Sequence, residues 1–549
     1  MDDDNNFKKL AYFNNLKVTK NNENVLLNIT KKPTKLNSEE KAAFDAVEKA
    51  QLIMNKLFLR AMQDTHETFS DPIFTEVLDR IRCIKGKKSI HALFIRTDYL
   101  FELTGCLVTP KQVEINTISC AFLFQGPILN KIHKLYVPQT IVSNSDEQFL
   151  KFIKSVKFLY DDMHKNSHNM CLTSKKFKRY LESDIDGGKS SLKNDFRSVS
   201  SYENAQENDQ KEKNNKDINE IGKNNVEYIK EDDKNINKIE NNNVNSINKN
   251  EDVKQTCQYV KKYENSKSVG LMVDNDVSFN SSNILEKLAI INKCKENNID
   301  IFHVTFDDIR KKCIFLNKET GKQIDNTDIE RYLNDKKTID IEFDMYYNNI
   351  RVFFVYYRWY YNYEHYTEED IILRALIECS SAVSLPSVEL QILGLKIFQI
   401  RFKNEHYLLK FLSQEDAKTL LPFFGDYYKY TKEFVNKENK KDYVLKTLNE
   451  GGGNNLYDDE ILKFDGDPNR VFFMKKINGI SHQNTFVNDI FQRNVVPEIG
   501  VMGWLVAKDD VILYNENAGY ICRSKDVSSN ECGVSCGFGA LDSLQFSDK

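Results

Sequence analysis

Three consecutive glycines stand behind a lysine and a glutamate in the run Lys446-Thr447-Leu448-Asn449-Glu450-Gly451-Gly452-Gly453-Asn454-Asn455-Leu456-Tyr457. Backbone without Cβ atoms can take positive φ and press its N–H groups against a bulky anion. Successive N–H groups turned one way form a concavity that suits phosphate. Lys446 follows apolar Tyr443-Val444-Leu445, a short strand, and so is aimed from a strand end at whatever the loop covers. Glu450 is a hard oxygen ligand of the kind Mg2+ takes when it bridges protein and nucleotide. The run is not a Walker A loop, because it has no Gly-x-x-x-x-Gly-Lys-Ser/Thr pattern. A flexible Gly/Asn linker has the same composition, so these residues alone leave both readings open. A second pair lies in Gln112-Val113-Glu114-Ile115-Asn116-Thr117-Ile118. Alternation along a strand puts Glu114 and Asn116 on one face, which suits a metal or an ordinary solvated surface.

The elements that must position these groups are legible in the apolar spacing. Residues 39–60 carry Ala42, Ala43, Val47, Ala50, Leu52 and Ile53 at helical intervals, and residues 75–84 continue in that style. Strands are predicted at 90–95 and 112–118. Near Lys175 the composition collapses into Lys, Asn, Asp, Glu and Ser, and stays so to about Ser266. Such a tract buries too little apolar surface to offset about 1–2 kcal/mol of backbone entropy per ordered residue, so 176–266 is expected to be a disordered insertion. Beyond it, Val269–Val273, a helix over 284–295 and a strand over 299–304 make a βαβ unit with a parallel pair. A strand at 350–357 and a helix at 368–380 follow. Residues 413–437 read as two short helices broken near Pro422 and Gly425, with strands over 471–474, 500–507 and 510–514 beyond.

Composition limits the function classes. At 549 residues, two or three domains are expected. A net charge of −4 offers no basic field to a nucleic-acid backbone. No apolar run reaches the length of a membrane span. Eleven irregularly spaced cysteines, and an acidic Met1-Asp2-Asp3-Asp4 start, fit reduced thiols in a cytoplasmic protein.

Lys-x-x-x-Glu-Gly-Gly-Gly-Asn-Asn-Leu-Tyr resembles the glycine-rich loop of eukaryotic-type glutathione synthetase, an ATP-grasp ligase family, and further matches follow in family order. The resemblance implies an α/β (α+β) chain: an ATP-grasp fold with an inserted small parallel α/β substrate-binding domain and a glycine-rich lid. The boundaries expected are 1–175 and 401–549 for the two parts of the ATP-grasp domain and 267–400 for the inserted one. It implies Mg2+ on Glu114, Asn116 and Glu450. It implies ATP on Glu114, Lys396, Lys446, Glu450, Gly451, Gly452, Gly453, Asn454, Asn455, Tyr457, Met474, Lys475, Lys476, Ile477, Glu498, Lys525 and Glu531. The substrate, γ-glutamylcysteine, would meet Arg96, Ile118, Ser119, Cys120, Ala121, Asn283, Lys287, Arg358, Tyr361, Arg523, Val534 and Ser535. Arg523, Gly451 and Gly452 would face charge developing as glycine is joined to it. A homodimer is implied, with no nucleic-acid or membrane partner.

Departures fall on the peptide side. Ala121 replaces a serine, Lys287 a glutamine, Ser281-Ser282 a Glu-Arg pair, Trp359-Tyr360 an Asp-Gly pair, and Ser535-Cys536 an Ala-Ala pair. They keep another acceptor amino acid, or a nucleotide-binding regulator without turnover, open as alternatives. Gly533-Val534-Ser535-Cys536-Gly537 also spells a hydrolase elbow, but that needs a later histidine, and the last one is His482.

Overall fold

The computed structural model describes residues 2–20, 23–65, 90–165, 268–278, 281, 283–324, 342–437, 440–449, 453–509, 511–534 and 537–546. They belong to a unit formed by residues 1–181 and 266–549. The expected helix over 75–84, the 176–266 tract, Glu450, Gly451, Gly452 and Ser535 lie outside the described residues.

Two long strands, Ile90–Thr104 and Arg493–Lys508, buried on both faces along most of their length, build the central sheet. Its antiparallel order is Gly539–Asp542, Val511–Asp526, Arg493–Lys508, Ile90–Thr104 and Leu107–Asn116, with His482–Asn484 along the start of the third. Leu93, Ile95, Leu505 and Ala507 point to one face and pack beneath the Ser38–Ala61 helix. That helix starts at a capping box in which Asn37 and Glu40 satisfy each other's backbone amides. The opposite face carries Ala92, Phe94, Trp504 and Val506 against Phe149 and Phe152 of the Ser145–Lys165 helix. Along this second face the apolar residues give way, at one end, to Arg96, Asp98 and Glu498.

A second sheet has the order Ile301–Val304, Val269–Val273, Ile350–Tyr357, Phe343–Tyr347 and Cys313–Asn317, with Val383–Leu385 also along Ile350–Tyr357. The expected βαβ unit is present: 269–273 and 301–304 pair in parallel around the Ile284–Glu296 helix. The sheet is parallel only in part, because 343–347 and 313–317 run antiparallel. Asn348 and Asn349, at φ 47° and 62°, make the two-residue turn that reverses the chain there. A third, antiparallel sheet orders Tyr427–Lys429, Val471–Lys475, Tyr443–Thr447 and Leu456–Tyr457, so the glycine run connects two neighbouring strands.

The last strands are pinned to the first residues by Asp542, which is buried. It accepts from Thr30 Oγ1 and Thr34 Oγ1 at 2.6 Å each, from Ser524 Oγ at 2.5 Å and from the Ser543 amide at 2.7 Å. Burial pushes its carboxyl up, and these donors oppose the shift. Asp542→Asn turns an amide N–H2 toward hydroxyl donors and is expected to cost about 2 kcal/mol. A lowered urea midpoint checks this; an unchanged midpoint contradicts it.

Candidate active site

Asp98 is the centre of the polar end of the central sheet. Wholly buried, it accepts a two-pronged pair from Arg96, Nε to Oδ1 at 2.7 Å and Nη2 to Oδ2 at 2.8 Å. Arg523 Nη2 donates to the same Oδ2 at 2.8 Å, and Asn116 Nδ2 at 3.1 Å. Strand register explains the meeting. Asp98 lies opposite Glu114, Arg96 opposite Asn116, and Arg523 opposite Glu498, with which it forms a short ion pair. Gly500 lies opposite Asp98, and a Cβ there would fall 2.4 Å from Asp98 Oδ1 and 2.9 Å from Arg96 Cδ. Burial pushes the Asp98 carboxyl up to about 6 against the pull of Arg96 and Arg523.

Glu114 stands at the edge of this cluster. Its Oε1 accepts from Asn116 Nδ2 at 3.1 Å and lies 3.7 Å from Arg96 Nη2 and 3.8 Å from Arg523 Nη2. Burial would raise its carboxyl, yet Arg523, Arg96, Lys446 and Lys396 together hold it well below the usual range. Cations from four separate segments therefore surround one carboxylate. The Glu114 side chain keeps 27% of its surface open. The Asn116 amide nitrogen is engaged by carboxylates, which turns its oxygen the other way. This pair fits a hard divalent cation such as Mg2+. Among the described residues no group of three His, Cys, Asp or Glu forms a cage for one, so further oxygens would come from elsewhere, Glu450 included.

The lysines lead from this sheet to the glycine run. Lys446, buried in the Tyr443–Thr447 strand, donates to Val113 O at 2.6 Å, beside Glu114. It points at the central sheet from inside its strand. Lys396 opens the Lys396–Phe402 helix and donates to Asn449 O at 2.5 Å, under the start of the loop. Gly394 lets that helix approach, since a Cβ would meet Thr117 Oγ1 at 2.4 Å. Gly453 takes φ 83°, a conformation L side chains rarely adopt. Past it, Asn455 Nδ2 and Tyr457 OH both donate to Glu531 Oε1, at 3.0 and 2.9 Å. Lys525 donates to Asn530 O at 2.9 Å, next to that glutamate. Met474 is buried, with Ile477, Tyr457 and Ile397 packed around its cluster. Lys476 Nζ lies 5.6 Å from the Tyr457 ring centroid, Lys475 faces solvent at its strand end, and Asn454 flanks the loop. Glu498, read as a nucleotide residue, pairs through Oε1 with Arg523.

Other predicted peptide-side residues gather around Arg358 and reach the Asp98 cluster through Cys120, whose thiol donates to Asn116 O at 3.4 Å. Arg358 Nη1 donates to Cys120 O and to Tyr356 OH, each at 2.9 Å, and Ser119 Oγ donates to Arg358 O at 2.9 Å. Ser119 and Phe122, at φ 53° and 67°, bend the segment toward them. Glu286 Oε1 accepts from the Leu123 amide at 2.6 Å. Burial raises the Cys120 thiol to about 11. Asn283 takes φ 58° before the 284–296 helix that carries Lys287. Ile118, Ala121 and Val534 pack against the apolar clusters, and Tyr361 stands edge-on to Trp359. Sequence reasoning missed Asp98 and Glu286. A carboxylate two residues from Arg96 in an apolar strand marks the first; nothing local marks the second.

Residues 20–546 match the family described as eukaryotic glutathione synthase, ATP binding domain. The chain is 29% identical over 245 residues to the glutathione synthetase large chain of Schizosaccharomyces pombe, covering 42% of this chain and 49% of that protein. It is 32% identical over 195 residues to the chloroplastic glutathione synthetase of Arabidopsis thaliana, covering 33% and 36%. With the Xenopus laevis glutathione synthetase it shares 29% over 226 residues, covering 38% and 48%. The chain thus spans half or less of the length of these curated relatives. The solved apo form of a glutathione synthetase-like effector, GSS30, from Globodera pallida has a similar fold. Its TM-score is 0.61 at 14% identity, over 100% of this chain and 96% of that one. Given a family match running from the first strands to the last, the chain belongs to the eukaryotic glutathione synthase family defined by that ATP binding domain.

Proposed function

We propose that the chain is a glutathione synthase that joins γ-glutamylcysteine to glycine at the expense of ATP. The observation that carries this is the meeting at Glu114 of Arg96 and Arg523, 3.7 and 3.8 Å away, with Lys446 bonded to the neighbouring Val113 carbonyl and Lys396 to the Asn449 carbonyl at the base of the glycine run. Activating a carboxylate in water by phosphoryl transfer asks the protein to position and neutralise, with little covalent work of its own. The cysteinyl carboxylate oxygen forms a bond to the γ-phosphorus, the bond to ADP breaks, and an acyl phosphate results. The glycine amine then attacks the acyl carbon, loses a proton, and expels phosphate.

Lys396 and Lys446 offset triphosphate charge from below the loop, with Lys525 beside it. Arg523 meets the charge that builds on the acyl oxygens, with Asp98 and Glu498 fixing its guanidinium. Gly451, Gly452 and Gly453 form a lid that keeps water from the acyl phosphate. When bound, Mg2+ on Glu114, Asn116 and Glu450 supplies charge neutralisation of the phosphates. The rest of the reading has the same standing: an ATP-grasp domain of 1–175 and 401–549, a substrate-binding domain of 267–400, and a homodimer. A cytoplasmic setting suits the seven described cysteines, all free thiols. Among the described residues no helix is long and apolar enough to cross a membrane.

A second reading, an ATP-binding protein without turnover, is motivated by the peptide-side departures at Ala121, Ser281-Ser282 and Trp359. One assay separates them: purified protein with ATP, Mg2+, γ-glutamylcysteine and either glycine, serine or β-alanine, following ADP and peptide. ATP binding without product on any acceptor would sink the ligase reading. Lys446→Met is expected to raise the KM for ATP by about 10- to 100-fold, the value of a charge-assisted hydrogen bond. Steady-state kinetics check this, and an unaltered KM removes Lys446 from the nucleotide.

A further inference from the structure

The chain has one Asn-Gly step, Asn478-Gly479, in the segment that leads from the 471–475 strand back to the central sheet. Asn478 is exposed, and its side-chain amide has no hydrogen-bond partner among the described residues. Its backbone amide donates to Glu102 Oε1 at 3.0 Å. The Gly479 amide donates to Ile477 O at 3.1 Å, closing a three-residue turn around Asn478. The Ile480 amide then donates to Phe101 O at 2.8 Å, and Gly479 bridges Glu102, so the segment is docked along the 90–104 strand. Nothing larger than glycine fits at 479, because a Cβ would fall 2.4 Å from Val496 Cγ1 and 3.6 Å from Leu100 Cδ2. Val496 lies opposite Lys525 in the sheet register. Packing therefore requires a glycine directly after an exposed, untethered asparagine. A side chain at 479 would shield its backbone nitrogen; glycine leaves that nitrogen open to the neighbouring amide.

We propose that Asn478 is a site of spontaneous deamidation, and that its conversion loosens the nucleotide side of the site. The Gly479 backbone nitrogen attacks Asn478 Cγ and forms an N–C bond. The bond from Cγ to the side-chain nitrogen breaks, and that nitrogen leaves as ammonia with the proton of the Gly479 amide. The five-membered imide then adds solvent water and opens to an aspartyl or an isoaspartyl link. Nothing is oxidised or reduced. Either product puts a carboxylate beside Glu102, whose Oε1 already faces the 478 backbone amide. The isoaspartyl form also runs the chain through the side-chain carbons, adding one atom between 478 and 479. That pushes Gly479 off Val496 and takes Ile480 out of step with Phe101. The neighbours that shift are Ile477 and Lys525, both read as nucleotide residues, so this consequence rests on the nucleotide part of the ligase reading.

The test is peptide mass mapping of the full-length protein, kept warm for days in mildly alkaline or mildly acid buffer, with ATP affinity measured by calorimetry on the same samples. The tryptic peptide from Ile477 to Arg493 should gain about 1 Da as the amide becomes a carboxyl. Fragmentation should place the gain at 478, and the alkaline sample should lead, because the attacking nitrogen must lose its proton. ATP affinity should fall about 10-fold in the converted fraction, the effect of a displaced positioning segment. N478S, which has no side-chain amide, should bind ATP as fresh wild type does and keep that affinity through the same incubation. N478D should fall between fresh and aged wild type, since it carries the charge without the extra backbone atom. No gain at 478 in the folded protein, while the urea-unfolded chain converts, would overturn the site, because the turn then holds the Gly479 nitrogen away. Conversion with unchanged ATP affinity, or an N478S that ages like wild type, would overturn its effect on the nucleotide. Fresh protein that binds no ATP overturns the nucleotide reading, and the mass gain then decides the deamidation by itself.

Discussion

Arg523→Met is expected to lower kcat/KM for the acyl donor by about 100- to 1,000-fold, the usual loss for a preorganised donor facing transition-state charge. The guanidinium sits 2.8 Å from Asp98, 3.8 Å from Glu114 and in a short pair with Glu498. Without it three carboxylates face one another across the sheet, with Arg96 the one guanidinium left among them and Lys396 and Lys446 acting on Glu114. Arg523→Lys should recover little, because a point charge cannot reach Asp98 and Glu498 with the geometry of a planar fork. Steady-state kinetics with each substrate varied in turn decide this. A loss below tenfold, or full activity in the lysine variant, removes Arg523 from the chemistry. Breaking a buried pair also costs about 3–5 kcal/mol, so a melting curve of each variant accompanies the kinetics.

Gly500→Ala is the second variant with a large expected effect. Nothing chemical is lost, but the added methyl would sit 2.4 Å from Asp98 Oδ1 and 2.9 Å from both Arg96 Cδ and Ile521 Cγ1. The strand cannot yield, since it is bonded on both sides, so the Arg96–Asp98 pair must move. Overpacking of this kind costs about 1–3 kcal/mol. A misplaced catalytic group can cost about 100-fold in rate, and a loss of that order is expected here. Gly105→Ala is the control: it has open space around it and only a φ of 64° to strain. It should lose a little stability and no activity. Near-normal turnover in Gly500→Ala would mean the Asp98 cluster does not set the site.

The strands and helices that bear the site were legible because their apolar spacing is regular. The 284–296 helix and the strands on either side of it have the predicted pairing. The hairpin that makes the second sheet mixed was not read, although Asn348-Asn349 is a turn signal of the right kind. The short 427–429 strand escaped because Tyr427-Tyr428-Lys429 sits between two helices and finds its partner, 471–475, far along the chain. Glu114, Asn116, Arg96 and Arg523 could be named one at a time from their motifs. Their meeting could not, because register between strands far apart in the chain is a tertiary property. Asp98 shows this most clearly: its importance lies in bonds to Arg523, 425 residues away.

The pairing of Ile90–Thr104 with Arg493–Lys508 has a consequence for biosynthesis. As the ribosome works from the amino terminus, the early strand emerges long before its neighbour exists, exposing an unsatisfied apolar edge in the meantime. Non-local pairings of this sort fold slowly, and waiting edges invite aggregation. A nascent chain cut short by a late frameshift would therefore lose the whole catalytic platform, where a chain with locally closed modules would lose only its last one. Demand for chaperones during synthesis should exceed that of proteins of equal size built from local contacts.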